Sequence, residues 1–212
     1  MYKYVLFDFD GTVYDTVEGI TKSVQYALAK HGIASELNEL RCFAGPPLVD
    51  KFIEVYNVTE EQAHQLVDDY RERYRPIGLL ECRLFDGMRE LLLKLREQGI
   101  RTAITTMKPQ EMAEMLLERE GMINLFDVIY GSTLSQNLSK QKLVEMAIDT
   151  LGADRENTIL VGDTKYDIHG AHQAGIVAVG VRYGYAAENE LEDAGADFIV
   201  DTMQELEAFL LK

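Results

Sequence analysis

Tyr2-Lys3-Tyr4-Val5-Leu6-Phe7-Asp8-Phe9-Asp10-Gly11-Thr12 decides how the rest of the chain is read. A short apolar run stops at two carboxylates and a glycine, the pattern of a buried strand with acids at its carboxyl end. From Asp15 to Leu80 the character changes. Apolar residues there recur at helical spacing, as in Ile20, Val24, Ala27 and Leu28, and His31-Gly32 marks a stop. The break Phe43-Ala44-Gly45-Pro46-Pro47 separates that helix from others expected over 48–55 and 60–74. No strand signal of any strength lies between Asp15 and Leu80.

After Leu84 strands and helices alternate. A helix is expected from Asp86, as N-cap acid, to Gln98, with Gly99 beyond it. The strand 100–106 precedes a helix opened by Pro109, a residue suited to the first helical position. Further strands are expected over 126–130, 158–161, 177–181 and 198–200. Between them lie helices from Lys140 to Leu151 and up to Gly175, and a last one opened by a capping box from Thr202 to Glu205. Such alternation implies right-handed crossovers and a parallel sheet covered on both faces. The expected fold is a doubly wound, Rossmann-like α/β core of residues 1–14 and 81–212, with residues 15–80 inserted as a helical domain.

Composition narrows the function classes. With 21 Lys+Arg against 36 Asp+Glu, the formal net charge is −15. So acidic a chain repels nucleic acid and anionic lipid, which are bound through basic patches. No stretch approaches the roughly 20 apolar residues of a spanning helix. Asp8 and Asp10 interrupt the first apolar run, against a signal peptide. Cys42 and Cys82 make neither a disulfide framework nor a zinc pattern. A reduced, cytoplasmic setting is the expectation.

In open α/β sheets the ligand sits at the carboxyl ends of the strands. Three strand ends turn polar there: Asp8-Phe9-Asp10-Gly11-Thr12, Thr105-Thr106-Met107-Lys108, and Gly162-Asp163-Thr164-Lys165-Tyr166-Asp167, with Lys140 opening a nearby helix. Two like charges about 4 Å apart cost on the order of 4 kcal/mol at an effective dielectric near 20. Asp8, Asp163 and Asp167 drawn together therefore need a cation, and oxygen ligands select a hard one such as Mg²⁺. That ion also neutralises a phosphate dianion, whose other oxygens suit Lys140 and the Thr106 hydroxyl. One carboxylate can then attack phosphorus, and a second can move the proton. Strand alternation would point residues 8 and 10 to the same side, within reach of one substrate. Thr105 and Lys142 offer the same chemistry one and two residues away.

In order and spacing these residues resemble the haloacid dehalogenase-like (HAD) hydrolase superfamily, in its phosphatase branch. DxDGT is Asp8 to Thr12, the strand-end Ser/Thr is Thr106, the lysine is Lys140, and GDxxxD is Gly162 to Asp167. The likeness covers essentially the whole chain. Gly45-Pro46-Pro47-Leu48, Gly131-Ser132 and Tyr183-Gly184-Tyr185 further resemble phosphoglycolate phosphatase-like and 5′-nucleotidase-like members. The resemblance implies that Asp8 is the nucleophile and Asp10 the general acid/base. Mg²⁺ would be held by Asp8, the Asp10 backbone carbonyl and Asp163, with Asp167 in support. Thr106 and Lys140 would bind the phosphoryl group. The insert would be a cap that selects the leaving group, with Gly45 and Pro46 touching substrate. The implied activity is hydrolysis of a small phosphomonoester, phosphoglycolate or a nucleoside 5′-monophosphate, through an aspartyl-phosphate. The implied partner is that phosphorylated metabolite, with no nucleic acid polymer and no membrane, for a monomer or homodimer.

Other readings are weaker. A calcium loop beginning at Asp8 needs Gly at its sixth position and Glu at its twelfth, where Val13 and Gly19 stand. His169 and His172 have no third ligand near them in sequence and are expected to be solvated. The Arg-rich run from Tyr70 to Arg75 reads as a solvated helix face. A phosphosugar mutase resembling β-phosphoglucomutase is the rival enzyme, and relatives of that kind commonly carry Val where this chain has Thr12. A receiver-like phosphoaspartate signalling domain shares the ingredients but resembles a shorter, uninterrupted α/β unit. The substrate itself is not readable from these residues.

Overall fold

The computed structural model describes residues 2–133 and 138–212. The opening apolar run becomes strand β1 (Tyr4–Phe7), in which Val5, Leu6 and Phe7 are fully buried. A strand with no exposed face requires neighbours on both edges and cover on both sides. Its parallel neighbours are β4 (Arg101–Pro109) and β6 (Thr158–Gly162). Beyond β4 lies β5 (Val128–Ser132), and beyond β6 lie β7 (Val177–Val181) and β8 (Phe198–Val200). The sheet order is β5-β4-β1-β6-β7-β8, with every pairing parallel. Phe7 stands opposite both Ile104 and Val161. Asp8, Thr105-Thr106 and Gly162-Asp163 therefore emerge together at one edge of the sheet.

The helices of this unit are α4 (Met88–Glu97), α5 (Gln110–Arg119), α6 (Lys140–Leu151), α7 (Lys165–Gln173), the short α8 (Glu190–Asp193) and α9 (Met203–Leu210). Val144, Ala147 and Ile148 of α6 and Ile168 and Ala171 of α7 pack on Leu6, Ala103, Leu160 and Ala178 of the sheet. Small residues from α7 and the strands let both helices lie close. The chain thus forms the doubly wound α/β core expected of it.

Contacts divide the chain into Met1–Val13 with Leu84–Lys212, and Tyr14–Arg83. The second unit contains α1 (Val17–Lys30), α2 (Leu48–Tyr56) and α3 (Glu60–Tyr74). Phe43 and Phe52 meet there at 4.8 Å between ring centroids, and buried Asp69 is ion-paired with Lys30 and lies 2.8 Å from His31 Nε2. The boundaries differ from the sequence expectation of 14/15 and 80/81. Glu81 accounts for much of this: its carbonyl accepts from Gly19 N at 3.1 Å and its carboxylate pairs with Arg73 at 2.8 Å, tying it to the helices. The two-residue strands β2 (Tyr14–Asp15) and β3 (Arg83–Leu84) pair with each other and are too short to show periodicity in sequence.

Several local expectations are corrected. Helix α4 starts at Met88 and is preceded by Gly87 at φ 88°, so the left-handed glycine, not Asp86, stands at its N-cap. Strand β4 continues through a bulge to Pro109, which pairs with Ser132 and precedes α5 as its N-cap instead of opening its first turn. The box at α9 is half formed: Thr202 Oγ1 accepts from Glu205 N, but the Glu205 carboxylate takes the Asp201 N–H instead. Among the described residues no helix is long and apolar enough to cross a membrane.

Candidate active site

Lys140, the first residue of α6, reaches back to the end of β1. Ser139 caps that helix by accepting from Lys142 N at 3.2 Å, which sets the direction of the first turn. The Lys140 Nζ donates to Asp8 Oδ1 at 2.5 Å and to the Thr105 carbonyl at 2.7 Å, and it lies 2.7 Å from Asp167 Oδ1. Its stem fits only because residue 170 of α7 is glycine; a Cβ there would overlap the Lys140 Cβ and Cγ. Lys142 faces outward and pairs with Glu145. Of the two lysines, Lys140 therefore meets Asp8.

Asp163 and Asp167 come from the β6–α7 junction and are buried. Asp163 accepts from Thr12 Oγ1 at 3.1 Å and from Tyr185 N at 2.8 Å. Asp167 Oδ2 accepts from the N–H and hydroxyl of Thr164, at 3.0 and 2.9 Å. One oxygen each from Asp8, Asp163 and Asp167 lies within 4.8 Å of the others.

Asp10 is placed by something other than strand alternation. Strand β1 ends at Phe7, and Gly11 at φ 83° bends the chain immediately after the acidic pair. Both Asp10 oxygens face Lys108 Nζ, at 2.9 and 3.2 Å. Lys108 is buried, and the sequence reading gave it no role. Its signal was a lysine two residues beyond Thr106, but the bulge that turns it inward is a long-range feature. The Thr106 hydroxyl accepts from Lys108 N at 3.1 Å, whereas the buried Thr105 hydroxyl has no hydrogen-bond partner among the described residues. Both threonines are buried at this strand end. Gly45 and Pro46 belong to the helical unit, in the turn before α2, and form no part of the carboxylate cluster.

Charge is poorly balanced in the cluster. Burial pushes the Asp8 carboxyl up to about 7; Lys140 pulls it down, while Asp167 and Asp10 push it further up. Burial also raises the Asp163 carboxyl well above its usual range, with Asp167 and Asp8 adding to the effect. Burial opposes the Lys140 charge, yet Asp167 and Asp8 outweigh it and raise its pKa. A cluster that drives protons onto its own carboxyl groups is one that a second cation would relieve. Among the described residues the donor set is all oxygen, which fits Mg²⁺ and offers no thiolate or imidazole to a softer metal.

The family model described as haloacid dehalogenase-like hydrolase matches residues 5–181. A 5′-nucleotidase of Pseudomonas aeruginosa is 40% identical over 192 residues, covering 90% of this chain and 87% of that protein. A pyrophosphatase of Halalkalibacterium halodurans is 31% identical over 205 residues, covering 95% of this chain and 94% of that one. The crystal structure of a predicted phosphatase from Clostridium acetobutylicum is similar at a TM-score of 0.93 and 38% identity, over 100% of this chain and 99% of that one.

Proposed function

The chain belongs to the haloacid dehalogenase-like hydrolases, and from that premise we propose that it is a Mg²⁺-dependent phosphatase releasing phosphate from a small phosphomonoester by way of Asp8. The observation that carries this reading is Asp8 Oδ1 held by the buried Lys140, with Asp163 and Asp167 beside it. The Asp8 carboxylate attacks phosphorus, and the bond to the leaving oxygen breaks as Asp10 gives that oxygen a proton. Asp10, now ionised, takes a proton from water. The water attacks the phosphorus of the aspartyl-phosphate, which frees inorganic phosphate and restores Asp8. Lys140 and the Thr106 hydroxyl hold the phosphoryl oxygens throughout, and Lys108 orients Asp10. Asp8, Asp163, Asp167 and the Asp10 carbonyl would hold Mg²⁺, which when bound offsets the phosphoryl charge.

The substrate class we favour is a nucleoside 5′-monophosphate, on the strength of the 40% identical relative described as a 5′-nucleotidase. We assign the choice of leaving group to the helical unit as the cap, with Gly45 and Pro46 among its contacts. A net charge of −15 supports a small metabolite as partner over a nucleic acid polymer or a membrane, and the free Cys42 and Cys82 suit the reducing cytoplasm. The test is phosphate release with Mg²⁺ from nucleoside 5′-monophosphates, phosphoglycolate, pyrophosphate and glucose 1-phosphate, ranked by kcat/KM. Nucleotides are expected to lead. A higher rank for phosphoglycolate or pyrophosphate would replace the substrate class, and glucose 6-phosphate formed without free phosphate would overturn the hydrolase reading.

A further inference from the structure

Asp8 and Asp167 share Lys140, but Asp163 is held from another side. The chain that follows β7 passes over it. Tyr185 N donates to Asp163 Oδ2 at 2.8 Å, and Tyr183 OH donates to the Thr12 carbonyl at 3.2 Å. The same Thr12 gives its hydroxyl to Asp163 Oδ1 at 3.1 Å. Between the two tyrosines, Gly184 lies so close that an added Cβ would overlap Asp163 and sit 2.5 Å from the Gly11 carbonyl. The Tyr183 ring is fixed in turn by an edge contact with Phe85, at 4.9 Å and 62°. Both Asp163 oxygens are thus aimed by groups that the phosphate chemistry itself does not require.

We propose that Tyr183-Gly184-Tyr185 is a positioning segment for the divalent cation, acting through Asp163 and Thr12. This rests on the reading of Asp8, Asp163 and Asp167 as a cation site. A ligand whose orientation is preset binds without first losing its rotamer freedom, and groups hydrogen-bonded behind a metal ligand typically change affinity about 10- to 100-fold when removed. Tyr183→Phe takes away one hydroxyl and leaves the ring contact in place. Gly184→Ala fills the space against Asp163.

The experiment is Mn²⁺ binding to the full chain by isothermal titration calorimetry without substrate, beside the melting temperature of the metal-free protein. Wild type is expected to bind Mn²⁺, and Asp163→Asn to lose binding. Tyr183→Phe, whose lost hydroxyl bonds the Thr12 carbonyl and not Asp163 itself, is expected to bind more weakly by up to about tenfold, the low end for direct partners of a metal ligand. Gly184→Ala is expected to be weaker still, and if it does not fold, Tyr183→Phe decides alone. A purely structural loss would lower the melting temperature and leave the affinity of the folded protein alone. Tyr183→Phe binding within about twofold of wild type, well short of that range, would overturn the positioning role and leave the cation site standing. Failure of wild type to bind Mn²⁺, or unchanged binding in Asp163→Asn, would overturn the cation site and this inference with it.

Discussion

Asp8 sits where its charge is needed and where burial resists it. The carboxyl is pushed up to about 7, against an ordinary value of 3.8, by burial and by Asp167 and Asp10, despite the ammonium of Lys140. Replacing it with asparagine keeps the shape and removes both the proposed nucleophile and the repulsion. Asp8→Asn is therefore expected to lower phosphate release by at least about 10³-fold, since nothing else in the cluster takes over a covalent step. The same variant, free of metal at pH 8, is expected to melt higher than wild type. Lys140 keeps Asp167 as its partner, and one like charge has left the cluster. A phosphate-release assay and a thermal melt of the same preparation check both halves. Appreciable turnover would remove Asp8 from its assigned role, and a lower melting point would mean that the Lys140 contact outweighs burial.

At the scale of elements, α7 shows how a helix can be shaped around a side chain that belongs to another. Gly170 lies inside Lys165–Gln173, where glycine ordinarily costs a helix about 1 kcal/mol relative to alanine. Propensity alone would make Gly170→Ala stabilising. The overlap with Lys140 reverses the sign, because its Cβ and Cγ cannot swing away as a side-chain tip would. Gly170→Ala is expected to destabilise by about 1–3 kcal/mol in urea unfolding and to reduce kcat by displacing Lys140 Nζ from Asp8. A more stable variant of full activity would contradict that packing. The same comparison explains what was legible in sequence. Strands β1, β6 and β7 announce themselves because burial on both faces demands a continuous apolar run, and their polar ends locate Asp8 and Asp163. Lys108 did not stand out, because its burial depends on a bulge that pairs Pro109 with Ser132 across the sheet. The donation from Tyr185 to Asp163 was equally hidden, since a backbone N–H has no residue signature. The N-cap of α4 went to Gly87 instead of Asp86 for a related reason: either residue is a recognised cap, and the path of the chain decides between them.

For the molecule as a whole, the carboxylate cluster should make stability depend on pH and on metal in a linked way. A carboxyl group whose pKa is raised on folding keeps its proton in the folded chain where the unfolded chain has lost it. Stability then falls as pH rises between the unfolded and the folded values, by up to about 1.4 kcal/mol per pH unit for each such group. For Asp8 that window runs from 3.8 to about 7, and Asp163 is shifted in the same direction. Glu81 and Asp197 are lowered from 4.5 and 3.8, by Arg73 for Glu81 and, for Asp197, by the Ala178 N–H and His172 against burial, so the stability they add is already complete by pH 5. Between pH 5 and pH 8 the metal-free protein is therefore expected to lose stability in urea, and Asp8→Asn to lose less. On the proposed reading Mg²⁺ binds the ionised cluster, so at one fixed concentration the stability it adds should be larger at pH 8 than at pH 5, reaching about 2.7 kcal/mol at one hundred times the Kd of pH 8. Self-repulsion of a chain with net charge −15 also grows with pH, but Asp8→Asn changes that total by only one charge, so the difference between variant and wild type isolates the cluster. A metal-free wild type that gained stability across this range in parallel with Asp8→Asn would mean that the three carboxylates do not repel one another as their burial and spacing require.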